Sequence, residues 1–235
     1  MSRPGTPRAR APARPRPARL RGLGREVAAL VETCRRLHAR DLVGATEGNV
    51  SARVAPGAFL VTASGVSKGH LRPADLVLVD GQGAILDGRG RPSTELRMHL
   101  AAYAARPDVG AIVHAHPVAA IAFTVAGLAP PDDLVPEAAV TLGRIGLAPF
   151  ATPGTDEVPT SIAPLLPGHD VILLERHGAL ALGRTLAEAF DRMETLERVA
   201  RIAALARSLG RCEPLPPAAV DRVLVAAGRP PRGRS

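Results

Sequence analysis

Two of the chain's seven histidines stand one residue apart, in the stretch IVHAHPV at residues 112–118. Successive side chains of a β-strand alternate between its two faces, so His114 and His116 would project from the same face. Two imidazoles on one face can ligate one metal ion. The alternative is a packed core histidine beside a second histidine without a chemical role, and this stretch alone is compatible with both.

A third candidate ligand follows the next strongly apolar run, DVILLE, which leads into RHGAL. His177 would lie at a strand end beside a glycine, where it could face His114 and His116. Three imidazoles with an open fourth position are the usual arrangement of a catalytic zinc site. The remaining four histidines fall on predicted helices or in turn-like segments, which favours surface or packing roles: His38, His70, His99 and His169.

A carboxylate stands at the start of a predicted helix. In RPSTELR, Glu95 falls in the first turn, where free backbone N–H groups favour anions. It is either an acid–base group or an ordinary glutamate that complements the helix dipole. Ser93 and Thr94 add two hydroxyls at the same helix start, an arrangement suited to a phosphate.

Two more loops could contribute to a phosphate seat. EGNVS supplies Gly48 and the amide of Asn49, and TASGVSKG supplies Ser64, Gly65 and Lys68, the only lysine. Each loop alone is typical of a simple turn. Together they would offer amides and hydroxyls to a dianion. Lys68 either adds a charge to this seat or is simply solvated.

The elements that would position these residues alternate between strands and helices. Strands are predicted in GNVSARV, AFLVTAS, DLVLVD, GAIL, DVGAIVH, RIGLAPF, DVILLE and ALALG. Helices are predicted over 23–41, in STELRMHLAAYAARP, PVAAIAFTVAG and TDEVPTSIAPLL, and from Thr185 to about Leu209. Tight hairpins and few β-α-β units predict an α/β fold with a mixed, largely antiparallel central sheet flanked by helix layers.

The formal charge of +8 is concentrated at the start of the chain. Residues 1–25 contain eight arginines and no acid, and the rest carries 22 basic and 22 acidic residues. Residues 1–22 are therefore predicted to be a disordered Arg/Pro-rich extension, residues 23–227 one catalytic domain, and residues 228–235 a flexible tail. A body without net positive charge argues against specific nucleic-acid binding.

The lengths of the apolar runs and the positions of the cysteines indicate the cellular setting of the protein. No apolar run approaches the roughly 20 residues that a membrane span needs. Cys34 and Cys212 fall in segments that resemble helices and give little basis for a disulfide framework. A reducing, cytoplasmic setting is expected.

GNVS, TASG, PSTE, HAH and HG occur in this order and resemble the class II aldolase/adducin head family over about residues 23–212. The resemblance implies a homotetramer with active sites between subunits. It implies that His114, His116 and His177 hold zinc, although another divalent transition metal could occupy such a site, and that Glu95 is the catalytic acid/base. The implied phosphate-binding residues are Gly48, Asn49, Ser64, Gly65, Ser93 and Thr94, the last where serine is more usual.

The expected activity is zinc-dependent aldol cleavage of a ketose 1-phosphate, either fuculose 1-phosphate or a 5-deoxy or 5-methylthio pentulose 1-phosphate. The products would be dihydroxyacetone phosphate and an aldehyde. One alternative is a lyase like methylthioribulose-1-phosphate dehydratase, which expels water with the same metal triad and a glutamate. Further alternatives are a ribulose-phosphate 4-epimerase and a non-catalytic binding module like the adducin head.

The sequence departs from the family at the tyrosines. In the fuculose-phosphate enzymes a tyrosine from the neighbouring subunit protonates the departing aldehyde oxygen, whereas the only tyrosine here, Tyr103, lies on the helix of Glu95. Near the family's position stands VPEAAV, where Glu137 either replaces the missing acid or is an ordinary helix-start residue.

Overall fold

The structure, a computed structural model, describes residues 19–232, and residues 1–18 and 233–235 lie outside it. Most of the predicted N-terminal extension therefore falls outside the described residues. Leu20–Gly22, assigned to that extension, form a short 3-10 helix, and the Leu20 N–H donates to the Asp87 carboxylate at 3.0 Å. In the predicted tail, the Arg232 N–H donates to Asp221 Oδ1 at 2.9 Å. Ordered contacts thus extend beyond residues 23–227 at both ends.

One eight-stranded sheet forms the centre of the molecule. Its strands are β1 Asn49–Ala55, β2 Ala58–Thr62, β3 Leu76–Asp80, β4 Ile85–Asp87, β5 Ala111–Ala115, β6 Ile145–Ala148, β7 Val171–Leu174 and β8 Gly178–Gly183. Their order is β4-β3-β2-β1-β5-β8-β7-β6, and every neighbouring pair is antiparallel except β6 and β7. The prediction of a mixed, largely antiparallel sheet is confirmed, and each strand overlaps a predicted segment.

Seven α-helices within the described residues cover both faces of the sheet. They are α1 Gly24–Ala39, α2 Leu96–Ala105, α3 Val118–Val125, α4 Pro136–Leu142, α5 Glu157–Ile162, α6 Leu186–Leu209 and α7 Pro217–Ala226. Buried side chains of α1, α3, α4 and α6 pack on one face, and those of α2 and α5 pack on the other. The helix layers are therefore confirmed. Helix α7 was not predicted from the sequence, and α4 was considered only as the helix-start alternative for Glu137.

Strand alternation decides which residues lie under α2. Val113 packs with α1 and α6, whereas Ile112 packs with α2, so His114 shares the α2 face of β5 with Ile112. In the register of β1 and β5, Asn49 lies opposite His114. The sheet therefore places the His114 imidazole and the Asn49 amide side by side beneath the start of α2.

Both cysteines are free. Cys34 is buried on α1, where burial raises the pKa of its thiol to about 12 against the opposing charge of Lys68. The helical placement of Cys212 was wrong, because α6 ends at Leu209 and Gly210 adopts a φ of +135°. Among the helices of residues 19–232, none is both long and apolar enough to cross a membrane.

Candidate active site

Three histidine side chains converge at the ends of the central strands β5, β7 and β8. His114 is the fourth residue of β5, His116 follows the strand end, and His177 lies in the turn between β7 and β8. Their ring centroids are 5.0 to 5.2 Å apart, and one ligand atom of each lies within 4.8 Å of the other two. The structure thus brings together the three histidines predicted as ligands.

Backbone carbonyls set the orientation of this cluster. Nδ1 of His114 lies 2.9 Å from the carbonyl oxygen of Ala179. Because a carbonyl oxygen only accepts, Nδ1 carries a proton, which leaves Nε2 as the His114 atom that can face a metal. The backbone N–H of His116 donates to the carbonyl of Leu42 at 2.8 Å, which anchors the residue beyond the end of β5.

Two glycines allow the chain to pack closely around the histidines. A Cβ at Gly178 would lie 2.6 Å from the carbonyl oxygen of Ala115 and 2.8 Å from the His116 ring. Gly48 has a φ of +67°, and a Cβ there would lie 2.7 Å from the carbonyl oxygen of His114. A larger residue at either position would displace a predicted ligand.

Glu95 faces the histidines. It is the N-cap residue of α2, whereas the sequence predicted it in the first turn of that helix. Its Oε2 lies 3.2 Å from His114 Nε2 and its Oε1 lies 3.1 Å from His177 Nε2. The Asn49 amide donates to Oε2 at 2.8 Å. Burial alone would raise the pKa of the Glu95 carboxyl, but the charges and hydrogen bonds of His114 and His177 hold it well below its ordinary value. The carboxylate is therefore ionised in this arrangement.

The donor set fits a divalent transition metal. The Nε2 atoms of His114 and His116 are 3.3 Å apart. Two ligands of a tetrahedral zinc ion with zinc–nitrogen bonds of about 2.0–2.1 Å lie about 3.3 Å from each other. Burial, together with the charges of His114 and His177, lowers the pKa of His116 to about 4, so its ring is neutral and can offer a lone pair.

The residues predicted to bind phosphate lie on three neighbouring loops. These are Gly48 and Asn49 at the start of β1, Ser64 and Gly65 after β2, and Ser93 and Thr94 before α2. The second and third loops are joined, because the Ser64 N–H donates to the Arg91 carbonyl at 2.8 Å and Ala63 pairs with Pro92. Ser93 Oγ accepts from the Glu95 N–H at 3.2 Å. The third loop therefore leads directly into Glu95 at the start of α2, and Asn49 of the first loop donates to the same carboxylate.

The two secondary candidates have different surroundings. Lys68 is only 2% exposed, so the solvated alternative was wrong, and its Nζ donates to the carbonyls of Thr46 and Val66. Glu137 is exposed in the first turn of α4, the placement that the helix-start interpretation expects. It lines a separate groove with Arg40.

A buried polar network under α2 was missed in the sequence. Ser51 Oγ lies 2.7 Å from His99 Nδ1 and 2.9 Å from the Tyr103 hydroxyl, and all three side chains are buried. Burial raises the pKa of Tyr103 and lowers the pKa of His99 to about 3, so both stay neutral at pH 7. The spacing of His99 and Tyr103, one helical turn, was the available signal. The network fixes α2, and with it Glu95, to β1.

Glu197 of α6 is a second residue that the sequence did not reveal. Its carboxylate is 4% exposed and accepts from the backbone N–H groups of Ala119 at 2.9 Å and Ala120 at 3.2 Å. These groups open α3, whose N-cap is Pro117 and which has no side-chain cap of its own. Glu197 therefore holds the chain directly after His116 in place.

Replacing Glu197 by Ala is expected to lower the free energy of unfolding by about 3 kcal/mol, because buried N–H groups lose a charged acceptor. Arg201→Met is the matched control, since it removes the ion pair of 2.7 Å but leaves the helix cap. Because the Arg201 side chain is half exposed, this pair should contribute less than about 1 kcal/mol. Urea unfolding of the two variants tests this difference, and equal losses would contradict the capping role.

Comparisons with known proteins agree with this geometry. The model of the family "Class II Aldolase and Adducin N-terminal domain" matches residues 28–204. An L-fuculose phosphate aldolase of Methanococcus vannielii is 35% identical over 173 residues, covering 73% of this chain and 92% of the relative. A 5-methylthioribulose-1-phosphate/5-deoxyribulose-1-phosphate aldolase of Rhodospirillum rubrum is 33% identical over 195 residues, covering 83% and 87%.

Comparison of the fold with solved structures indicates the same family. A solved L-fuculose 1-phosphate aldolase superposes with a TM-score of 0.79 at 29% identity, covering 86% of this chain and 95% of its own. The chain therefore belongs to the class II aldolase and adducin N-terminal domain family. Within that family it is an enzyme of the aldehyde-lyase class, which sets aside the non-catalytic binding module.

Proposed function

We propose that this protein is a zinc-dependent aldolase that cleaves a ketose 1-phosphate into dihydroxyacetone phosphate and an aldehyde. The candidate substrates are fuculose 1-phosphate and the 5-deoxy and 5-methylthio pentulose 1-phosphates, and relatives with both kinds of name are about equally similar to the chain. One observation carries the proposal. The Glu95 carboxylate lies beside two predicted metal ligands and is hydrogen-bonded to Asn49, a residue of the predicted phosphate seat.

His114, His116 and His177 would hold the metal, and a set of three imidazole ligands favours zinc. When bound, the metal supplies a Lewis acid that withdraws negative charge from the carbonyl and neighbouring hydroxyl oxygens of the substrate. Glu95 moves a proton to or from the substrate carbon at which the carbon–carbon bond breaks. At the N-cap of α2 Glu95 directly follows Ser93 and Thr94, and its backbone N–H donates to Ser93 Oγ.

The phosphate group would bind to six residues on the three loops: Gly48, Asn49, Ser64, Gly65, Ser93 and Thr94. Ser64, Gly65 and Thr94 are exposed, so an anion can reach them from solvent. Asn49 is buried and connects this seat to Glu95. Binding of the phosphate would therefore orient the reacting carbons toward the carboxylate.

The aldehyde oxygen of the departing fragment receives its proton from a group other than tyrosine. Tyr103 is the only tyrosine of the chain, and its hydroxyl is buried against Ser51. A neighbouring copy of the chain offers the same tyrosine in the same network. Glu137 stays a candidate for this role only if subunit assembly brings it to the histidines, since it lines a different groove within one chain.

Product analysis by NMR tests the proposed function. Zinc-loaded protein would be incubated with 5-methylthioribulose 1-phosphate, 5-deoxyribulose 1-phosphate and fuculose 1-phosphate in turn. Dihydroxyacetone phosphate should appear with at least one of them, and the relative rates identify the preferred aldehyde. A product lighter by one water would establish a dehydratase instead. No turnover of any substrate by metal-loaded protein would contradict the sugar-phosphate assignment.

We also propose a homotetramer with active sites between subunits and a cytoplasmic location. Exposed apolar side chains on and after α3 support an assembly: Val118, Val125 and Leu128. The two free cysteines support a reducing compartment. Light scattering of the full chain tests the assembly, and a monomeric mass would contradict it.

A further inference from the structure

Lys68 has the environment of an internal structural cation. It is the only lysine among 30 Lys and Arg residues, yet it is 2% exposed. It begins a 3-10 helix, Lys68–His70, which presses against α1 so closely that a Cβ at Gly69 would lie 2.7 Å from the His38 ring. In a chain that otherwise uses only arginine, Lys68 supplies a compact ammonium at this buried position in place of a planar guanidinium.

The contacts of Lys68 join two of the loops that carry the predicted phosphate seat. Nζ donates to the Thr46 carbonyl at 3.0 Å, two residues before Gly48. It also donates to the Val66 carbonyl at 2.9 Å, directly after Ser64 and Gly65. The third loop is attached to the second through the Ser64 N–H and the Arg91 carbonyl. All three loops are thus connected, and Lys68 makes the connection between the first and the second.

The charge of Lys68 is not neutralised by a neighbouring carboxylate. Within the described residues its two hydrogen-bond acceptors are backbone carbonyls, and it forms no ion pair. Burial lowers the pKa of Lys68 from its ordinary value, while Cys34 and Glu95 act in the opposite direction. A buried cation without a counter-ion costs stability. A bound dianion would offset this cost, because it would bring negative charge to the loops that the cation holds.

We propose that Lys68 is a positioning residue that holds the first two phosphate loops together and makes their seat electropositive for a phosphate dianion. This inference rests on the proposed function, since it assumes that the three loops bind the phosphate of the substrate. Lys68 does not touch the phosphate. It acts through the carbonyls of Thr46 and Val66, which fix the backbone just before Gly48 and just after Gly65.

Calorimetric titration with inorganic phosphate tests the proposal on the zinc-loaded full chain. Lys68→Met should raise the phosphate Kd at least about tenfold relative to wild type, which corresponds to ~1.4 kcal/mol. Arg72→Met is the matched control, because it removes one positive charge four residues away at an exposed position. The control should bind phosphate like wild type.

The outcomes separate the two proposals. If wild type binds no phosphate, the phosphate seat of the proposed function fails, and the role of Lys68 fails with it. If wild type and Lys68→Met bind phosphate equally, the role of Lys68 is overturned while the seat stands. In turnover, Lys68→Met should raise KM for the ketose phosphate with kcat and zinc content nearly unchanged. A fall in kcat at unchanged KM would overturn the proposal.

A measurement on wild type remains decisive if Lys68→Met does not fold. In protein with lysine labelled with 13C and 15N, the NMR spectrum contains one Nζ signal, because the chain has one lysine. Inorganic phosphate should shift this signal with the same Kd that calorimetry gives. The proposal would be overturned if phosphate left the Lys68 signal unchanged. It would also be overturned if the chemical shift of Lys68 were that of a mobile ammonium in water.

Discussion

Glu95→Gln is expected to lower kcat about a thousandfold, because the neutral amide cannot exchange a proton with the substrate carbon. General acid–base catalysis contributes about 10²–10⁴ in rate, and the position of this carboxylate beside His114 and His177 is the strongest argument that the proton passes through it. KM should change little, since the phosphate loops stay intact. Steady-state kinetics with the substrate identified by NMR measures both constants.

The control for Glu95→Gln is Glu47→Gln. Glu47 also places a carboxylate near a predicted ligand, with its Oε2 3.6 Å from His116 Nδ1, but it is exposed and belongs to a surface turn. This distance exceeds hydrogen-bond range, so its removal should change kcat less than about fivefold. Equal losses in the two variants would mean that general electrostatics, and not proton transfer at Glu95, determines the rate.

His177→Ala is expected to abolish turnover by removing the metal. Loss of a hydrogen-bond partner outside the ligand set costs about 10–100-fold in metal affinity, and loss of a ligand should cost more. His177 lies in the turn between β7 and β8, outside the strands, and its side chain is 10% exposed, so its truncation leaves the sheet hydrogen bonds in place. This makes it a cleaner probe than His114, whose side chain is 0% exposed within β5.

Metal content measured by atomic emission after gel filtration checks the effect of His177→Ala independently of activity. The variant should retain almost no zinc while its urea midpoint in the presence of a chelator equals that of metal-free wild type. His70→Ala is the control, because His70 is an exposed histidine on a 3-10 helix. It should keep the full metal content. One zinc per chain in His177→Ala would refute the three-histidine site.

The sheet could be predicted because its strands are short apolar runs between glycines and prolines, a pattern that depends only on neighbouring residues. Helix α7 was not predicted, and α4 was considered only as the helix-start alternative for Glu137. Each begins with a proline in its first turn, at Pro136 and Pro217, which is a helix-start signal, but α4 has only seven residues and shows no clear period. The contact of Leu20 with Asp87 could not be predicted, because it spans 67 positions and depends on no neighbouring residue.

The candidate site was predicted unevenly for the same reason. The period of two in HAH and the helix start at Glu95 are local features, and the structure brings these residues together. The roles of Glu197 and Lys68 depend on partners elsewhere in the chain, Ala119 and Thr46. Backbone N–H and carbonyl groups are the same in nearly every residue. A charged side chain that binds them therefore cannot be distinguished in the sequence from one that is exposed to solvent.

The register of β1 against β5 also determines where this protein can change its length. Because Asn49 lies opposite His114, the amide and the imidazole stay neighbours only while no residue is added to or lost from either strand. If the later part of β1 keeps its register, a single insertion between Val50 and Ala52 would shift the earlier residues by one position and place Val50 where Asn49 now stands. The hairpin between β3 and β4 lies at the sheet edge, where an extra residue moves no predicted site residue. Active variants that differ in length are therefore expected to carry their insertions or deletions in that hairpin.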